Sequence, residues 1–270
     1  MYKIIACDLD ETLLNRDHQV SAKDIETIKK LTEHGIKFVV ATGRGYNSTF
    51  ALLKQLGLYG CKREYVISFN GGMITDNYEN EVFYRKGITF KQASDLYLEG
   101  VKRNLCIHVY TEELVYVYNY IDEEREYIEG RMPIVETFEK TIDFLRDDPI
   151  IKILYMSTDV PLLQQVEKEV AGYSAGLSVS YSSNRYLEFN NQAADKGVGL
   201  VRLAEMLNVD LKDTIAIGDN INDLPMLKAA GMGIGVRNSN PDIWKDCDLI
   251  LDSTNNEDPI TEVYNRFYNF

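Results

Sequence analysis

Apolar residues recur along this chain in short unbroken runs, each followed at once by small or charged polar residues. The first run, IleIleAlaCys at 4–7, ends in Asp8 and Asp10. A strand apolar at successive positions has both faces covered, as in a parallel sheet, so the residues after it emerge at the sheet's C-terminal edge. Ser21 then reads as a helix N-cap with Asp24 in the first turn; Ile25, Ile28 and Leu31 follow at helical spacing, and Gly35 supplies the stop. The run at 36–41 predicts a second buried strand, ending in Thr42, Gly43 and Arg44. A helix over 47–56 and a strand over 65–69, closing in Asn70, Gly71 and Gly72, repeat the unit. Strand, helix, strand alternation of this length is the signature of a doubly wound sheet.

Beyond about residue 83 the pattern changes to Tyr-rich alternation, clearest over 108–118, with further strands predicted at 152–157 and 185–189 and a helix at 160–171. Period-two alternation predicts strands with one wet face and helices on the other. From 190 the first texture returns. A helix over 196–207 places Leu200, Leu203, Ala204 and Leu207 on one face, and a strand at 214–217 runs into GlyAspAsnIleAsnAsp at 218–223. Pro225 suits the first turn of the next helix, and 233–236 and 249–251 supply two more short strands. The expected fold is α/β: a doubly wound parallel core formed by 1–82 and 190–270, with an inserted α+β domain over 83–189.

Composition narrows the partners. The 270 residues carry a net charge of −13, which argues against nucleic acid or an anionic membrane as partner while leaving room for a small phosphate beside local cations. Neither a signal-peptide pattern nor a membrane-length apolar run is present, so a soluble, cytoplasmic protein is expected. Cys7, Cys61, Cys106 and Cys247 show no metal spacing and read as reduced thiols, Cys7 as a small core residue. His18, His34 and His108 form no pattern and read as surface or packed residues.

The candidate chemistry lies where the apolar runs end. Two carboxylates at one sheet edge repel by about 4 kcal/mol at ~4 Å in an effective dielectric of about 20, and a hard dication is the natural partner. Each cluster also has a plain reading. One Asp of a bare DxD caps a turn while the other is solvated, Thr42 is a turn hydroxyl, Lys196 is solvated, Asp219 and Asp223 cap a helix, and Asn222 occupies a turn. Against that, a cation in a helix's first turn opposes the macrodipole and gains from an anionic partner. Gathered at one edge, Asp8 with Asp10, Thr42 with Gly43, Lys196, and Asp219 with Asn222 and Asp223 make up the parts of metal-assisted phosphoryl transfer through a carboxylate nucleophile.

AspLeuAspGluThrLeuLeu at 8–14, AlaThrGlyArg at 41–44, SerPheAsnGlyGly at 68–72, AspLysGly at 195–197 and GlyAspAsnIleAsnAspLeuProMet at 218–226 together resemble the haloacid dehalogenase superfamily, in its Cof-type branch with a C2-type cap. The resemblance spans the chain and implies a Mg²⁺-dependent phosphatase acting on small phosphorylated metabolites, such as sugar phosphates or phosphorylated cofactors. It makes Asp8 the nucleophile that becomes aspartyl-phosphate, and Asp10 the acid for the leaving oxygen and then the base for water. Thr42 and the amides of Leu9 and Gly43 would hold phosphate oxygens, Lys196 would neutralise the phosphoryl group, and Asn222 would reach the phosphate. The implied metal shell is Asp8, the backbone carbonyl of Asp10, and Asp219, with Asp223 a ligand or the partner of one. Glu11 departs from the family, which most often has Gly there; we expect it to keep negative φ and point to solvent. Substrate choice is implied to be a property of the cap, where Arg185 is a candidate. A phosphomutase uses the same residues, and a phospho-accepting signalling domain or a non-catalytic binding protein are the readings from other classes.

Overall fold

The computed structural model describes residues 1–130, 132–268 and 270. The chain forms two compact units, one from residues 1–85 with 195–270 and one from 86–194.

In the first unit, β1 (Ile4–Cys7) leads through a tight turn to α1 (Ala22–Glu33), β2 (Lys37–Ala41), α2 (Phe50–Gln55) and β3 (Tyr65–Ser68). Ser21 caps α1 by accepting the Asp24 N–H at 3.0 Å, an arrangement worth about 1 kcal/mol. Gly35 closes the helix in the left-handed region at φ +80°. The helix expected over 47–56 is shorter than its pattern suggested. Residues 46–49 form a tighter turn in which Thr49 and Ser48 hydroxyls donate to the carbonyls of Tyr46 and Gly45 at 2.7 Å; such side-chain bonds compete with the α ladder. An antiparallel hairpin, β4 (Met73–Asp76) and β5 (Val82–Arg85), ends this stretch. The unit therefore runs to Arg85.

The second unit contains α3 (Phe90–Lys102), β6 (Cys106–Tyr110), β7 (Val115–Tyr118), α4 (Asp122–Ile128), β8 (Ile134–Thr137), β9 (Lys152–Met156), α5 (Val160–Val170), β10 (Leu177–Ser182) and β11 (Tyr186–Asn191). Its sheet has the order β10-β11-β9-β6-β7-β8, antiparallel except for the parallel pair β7–β8. Alternate residues Ile107, Val109, Ile153, Tyr155, Leu187 and Phe189 form its core with Leu96 and Leu163 from the helices. The opposite face differs from expectation. On the central strands it is buried rather than wet: His108, Lys152 and Glu188 are all shielded. Charge pairing makes this tolerable, because Lys152 binds Glu188 at 2.6 Å, and Glu124 of α4 lies 3.5 Å from His108 and accepts from the Tyr186 hydroxyl at 2.6 Å. Burial, then the nearby Lys152 charge, lowers the His108 pKa to about 3, so this imidazole is neutral. Arg185 is not a free cation either; it lies 3.4 Å from both Glu123 and Glu124 and stacks on Tyr127.

The chain returns to the first unit with α6 (Lys196–Leu207), β12 (Thr214–Gly218), α7 (Leu224–Ala229), β13 (Met232–Gly235), β14 (Leu249–Ile250) and α8 (Pro259–Phe267). The core sheet runs β14-β13-β12-β1-β2-β3-β4-β5, parallel from β14 to β3. All four residues of β1 are fully buried, as a central strand covered on both faces requires. Ile4, Ala6, Val39 and Ala216 pack with Leu200 and Leu203 of α6 on one face. On α1, Asp24 does more than start a helix: its Oδ1 accepts both the N–H and the hydroxyl of Thr261, tying α8 to α1. All four cysteines are free, with Cys7 in the core. Among the described residues no helix is long and apolar enough to cross a membrane.

Candidate active site

Because β1, β2, β3 and β12 are parallel, the residues that come after them share one sheet edge, and α6, which precedes β12, begins at that same edge. Asp8 follows β1, its N–H continuing the ladder to the Ile217 carbonyl at 3.0 Å. Thr42 and Gly43 follow β2, Asn70 follows β3, and Asp219 follows β12. Lys196 is the first residue of α6, whose cap is Asp195 accepting the Val198 N–H at 2.8 Å.

These positions converge. The Lys196 ammonium is fully buried, donates a hydrogen bond to Asp8 Oδ1 and lies 2.6 Å from Asp223 Oδ1. Asp223 Oδ2 accepts the N–H groups of Asp219 and Asn220, each at 3.0 Å. Ligand oxygens of Asp8, Asp219 and Asp223 lie within 4.8 Å of one another. Three carboxylates against one ammonium leave an excess of negative charge that a dication would neutralise, and hard oxygen donors suit such an ion. The titration behaviour has the same origin. Burial, only partly offset by Lys196 and reinforced by Asp223, raises the Asp8 pKa to about 8. Burial and Asp223 raise that of Asp219 to about 6. Burial disfavours the Lys196 charge, but Asp8 and Asp223 outweigh it and hold its pKa above the usual lysine value.

The other predicted residues are less tightly gathered. Leu9 is buried, and its carbonyl accepts the Leu14 N–H at 2.8 Å, closing the Leu9–Leu14 turn. Thr42 is buried, with its hydroxyl accepting the Arg44 N–H at 3.1 Å. Asp10 lies at the rim with its side chain 51% exposed, its carboxylate bound through both oxygens to Arg44. Asn222 is exposed on the short turn Ile221–Asp223.

Glu11 corrects the sequence reading. Its side chain is exposed as expected, but its backbone is left-handed, with φ 61° and ψ 7°. The chain must reverse within the Leu9–Leu14 turn, and the glutamate adopts the conformation in which the family's usual glycine is unstrained. The Glu11 carbonyl is held there by Asn238 Nδ2 at 2.7 Å.

Two contacts escaped the sequence reading. Thr12 donates to Asp219 Oδ1 at 2.9 Å in a buried setting, and Arg44 is the partner of Asp10. Arg44 carried a signal, being a cation directly after a strand-end Thr-Gly in an acidic neighbourhood. Thr12 carried none.

A parallel core with a carboxylate, lysine and acidic cluster at one edge, interrupted by a second α/β unit, defines a known class of hydrolase. The chain belongs to the haloacid dehalogenase-like hydrolases, whose family model matches residues 5–263, and is a Cof-type member in which the inserted unit is the C2-type cap. It is 30% identical to the phosphatase YwpJ of Bacillus subtilis, over 94% of this chain and 96% of the relative. A haloacid dehalogenase-like hydrolase from Bacteroides thetaiotaomicron has a crystal structure that superposes with a TM-score of 0.89 at 32% identity, covering 99% of this chain and 100% of that one. A Thermotoga maritima protein gives a TM-score of 0.89 at 26% identity, covering 100% and 99%.

Proposed function

We propose that this hydrolase is a Mg²⁺-dependent phosphatase that releases inorganic phosphate from small phosphomonoesters, such as sugar phosphates or phosphorylated cofactors, through an aspartyl-phosphate at Asp8. The observation that carries this reading is the buried bond from Lys196 to Asp8 inside a cluster of three carboxylates. A carboxylate oxygen so placed is aimed by the lysine, and the same ammonium offsets the charge of an arriving phosphate. Likeness to a curated phosphatase across nearly the whole chain supports it.

In this reading Asp8 attacks phosphorus. Thr42, with the Leu9 and Gly43 amides, cradles the phosphoryl oxygens, Lys196 neutralises them, and Asn222 adds a polar contact from the exposed turn. Asp10 protonates the leaving oxygen and then takes the proton from water, exchanging its Arg44 partner to do so. Asp8, Asp219 and the Asp10 carbonyl would hold Mg²⁺, with Asp223 fixing Lys196 and the Asp219 backbone. The bound dication supplies charge neutralisation that lets one anion approach another.

The test is a turnover screen over phosphorylated metabolites with Mg²⁺ and with chelator. Release of free phosphate that requires Mg²⁺ supports hydrolysis. Phosphate returned to a second position of the product would favour a mutase, and an aspartyl-phosphate that never turns over would favour a signalling role.

A further inference from the structure

The loop after β3 is left unused by this mechanism, although it stands at the same sheet edge. Phe69 and Asn70 are consecutive non-glycine residues in the left-handed region, at φ 51° and 52°. Such a conformation costs about 1 kcal/mol or more for most residues and less for Asn. Backbone bonds hold it in place: Phe69 N–H donates to the Arg44 carbonyl at 3.0 Å and Asn70 N–H to the Thr42 carbonyl at 2.9 Å. The loop is thus laced to the segment after β2.

Asn70's side chain makes a second connection. A β-carbon at Gly43 would lie 3.1 Å from Asn70 Oδ1, 3.3 Å from Nδ2 and 3.4 Å from Cγ. Gly43 is not in the left-handed region, so its lack of a side chain answers to the Asn70 amide rather than to its own backbone. Asn70 Oδ1 is also buried with no hydrogen-bond partner, a cost of about 1–3 kcal/mol that a purely space-filling residue would avoid. Its neighbour completes the bridge. Gly71, at φ +85°, comes so close to α6 that a β-carbon would be 1.9 Å from the Asp195 carbonyl oxygen and 3.1 Å from the backbone nitrogen of Lys196.

We propose that Asn70 is a positioning residue for the phosphoryl site: its amide fixes the Gly43 peptide while the adjoining Gly71 seats the start of α6, so that Thr42–Gly43 and Lys196 are held at one spacing. This rests on the phosphatase reading. A group that positions phosphate oxygens equally in substrate and transition state acts on KM rather than kcat.

Asn70→Gly tests it, because glycine keeps the left-handed backbone and removes the side chain that carries the amide. Binding of inorganic phosphate in the presence of Mg²⁺ is measured by calorimetry, beside thermal melting and kinetics. The expected result is phosphate affinity lowered about tenfold with KM raised in step, kcat altered less than about threefold, and a melting temperature within a few degrees of the parent's, because relief of strain and of the unpaired Oδ1 opposes glycine's entropy cost. Gly43→Ala should lose affinity by itself, yet add little further loss in the Asn70→Gly background, the non-additivity expected of touching residues. Phosphate affinity within about twofold of the parent in Asn70→Gly, or lost only in proportion to a fallen melting temperature, would overturn the proposal. If the parent with Mg²⁺ binds no phosphate, the phosphatase reading falls and takes this one with it.

Discussion

The ammonium nitrogen of Lys196 lies 2.6 Å from Oδ1 of Asp223, and neither side chain reaches solvent. With Asp223 Oδ2 accepting two backbone N–H groups, both oxygens of this carboxylate are committed within the protein. Asp219 is different: Thr12 donates to its Oδ1, and no described residue donates to Oδ2. Asp219→Asn should therefore weaken Mg²⁺ binding by about a hundredfold, and Asp223→Asn by about tenfold or less. Asp223→Ala strands a buried ammonium beside Asp8 alone and should cost about 3–5 kcal/mol of stability. Calorimetric titration and denaturant melts separate the two effects; equal Mg²⁺ losses in the two Asn variants would make Asp223 a direct ligand.

Thr12 meets the acidic cluster through the bond from its hydroxyl to Asp219 Oδ1. Thr12→Val keeps the shape and removes the donor, leaving Asp219 free to rotate. Mg²⁺ affinity should fall about tenfold, and stability by about 1 kcal/mol. Unchanged affinity in this variant would mean that the bond does not orient the carboxylate.

Glu11 holds a left-handed backbone at φ 61°. Glycine relieves that strain but loses more chain entropy on folding, so Glu11→Gly should change stability by no more than about 1 kcal/mol in either direction. Its side chain points to solvent, so kcat/KM should move less than about tenfold. A hundredfold loss of Mg²⁺ affinity would show that Glu11 belongs to the metal shell.

The carboxylate cluster makes stability depend on pH. Burial first of all raises Asp8 to about 8 and Asp219 to about 6. A carboxyl whose folded pKa exceeds its unfolded value favours the fold while protonated, so its contribution is complete below the unfolded pKa and lost as pH rises through the folded one. The metal-free protein should thus lose stability from about pH 4 to about pH 8. A dication binds the deprotonated cluster, so the melting-temperature gain from Mg²⁺ should be small at about pH 5 and large at about pH 8. Scanning calorimetry with chelator and with Mg²⁺ reads this directly; an equal gain at both pH values would refute it.

The strand ends were legible because burial writes itself into sequence as unbroken apolar runs, and parallel strands deliver their trailing residues to one edge. Asp8, Thr42 and Asp219 were found that way, and Lys196 through the helix that Asp195 caps. Contacts across the sheet edge leave no such trace: Thr12 with Asp219 and Asn70 with Gly43 are chosen by tertiary placement, and although Arg44 follows a strand end, nothing in the sequence pairs it with Asp10. The Glu11 conformation was misread because only the closure from Leu14 to Leu9 demands it. In the second unit, alternation described one core face well, but the pairing of Lys152 with Glu188 allowed the polar face to be buried too.

The central claim is that Asp8 forms the phosphoryl bond. It is tested most directly in Asp10→Asn with an aryl phosphate, whose leaving group departs without an acid, so that loss of the proposed general base slows only water's attack and allows the intermediate to accumulate. After acid quench of a reaction with a phosphorus-labelled substrate and Mg²⁺, proteolysis and mass spectrometry should place base-labile phosphate on Asp8, and Asp8→Asn should retain the fold while kcat falls by at least ~10³, about 4 kcal/mol. Label on another residue, or near-normal turnover by folded Asp8→Asn, would contradict the account.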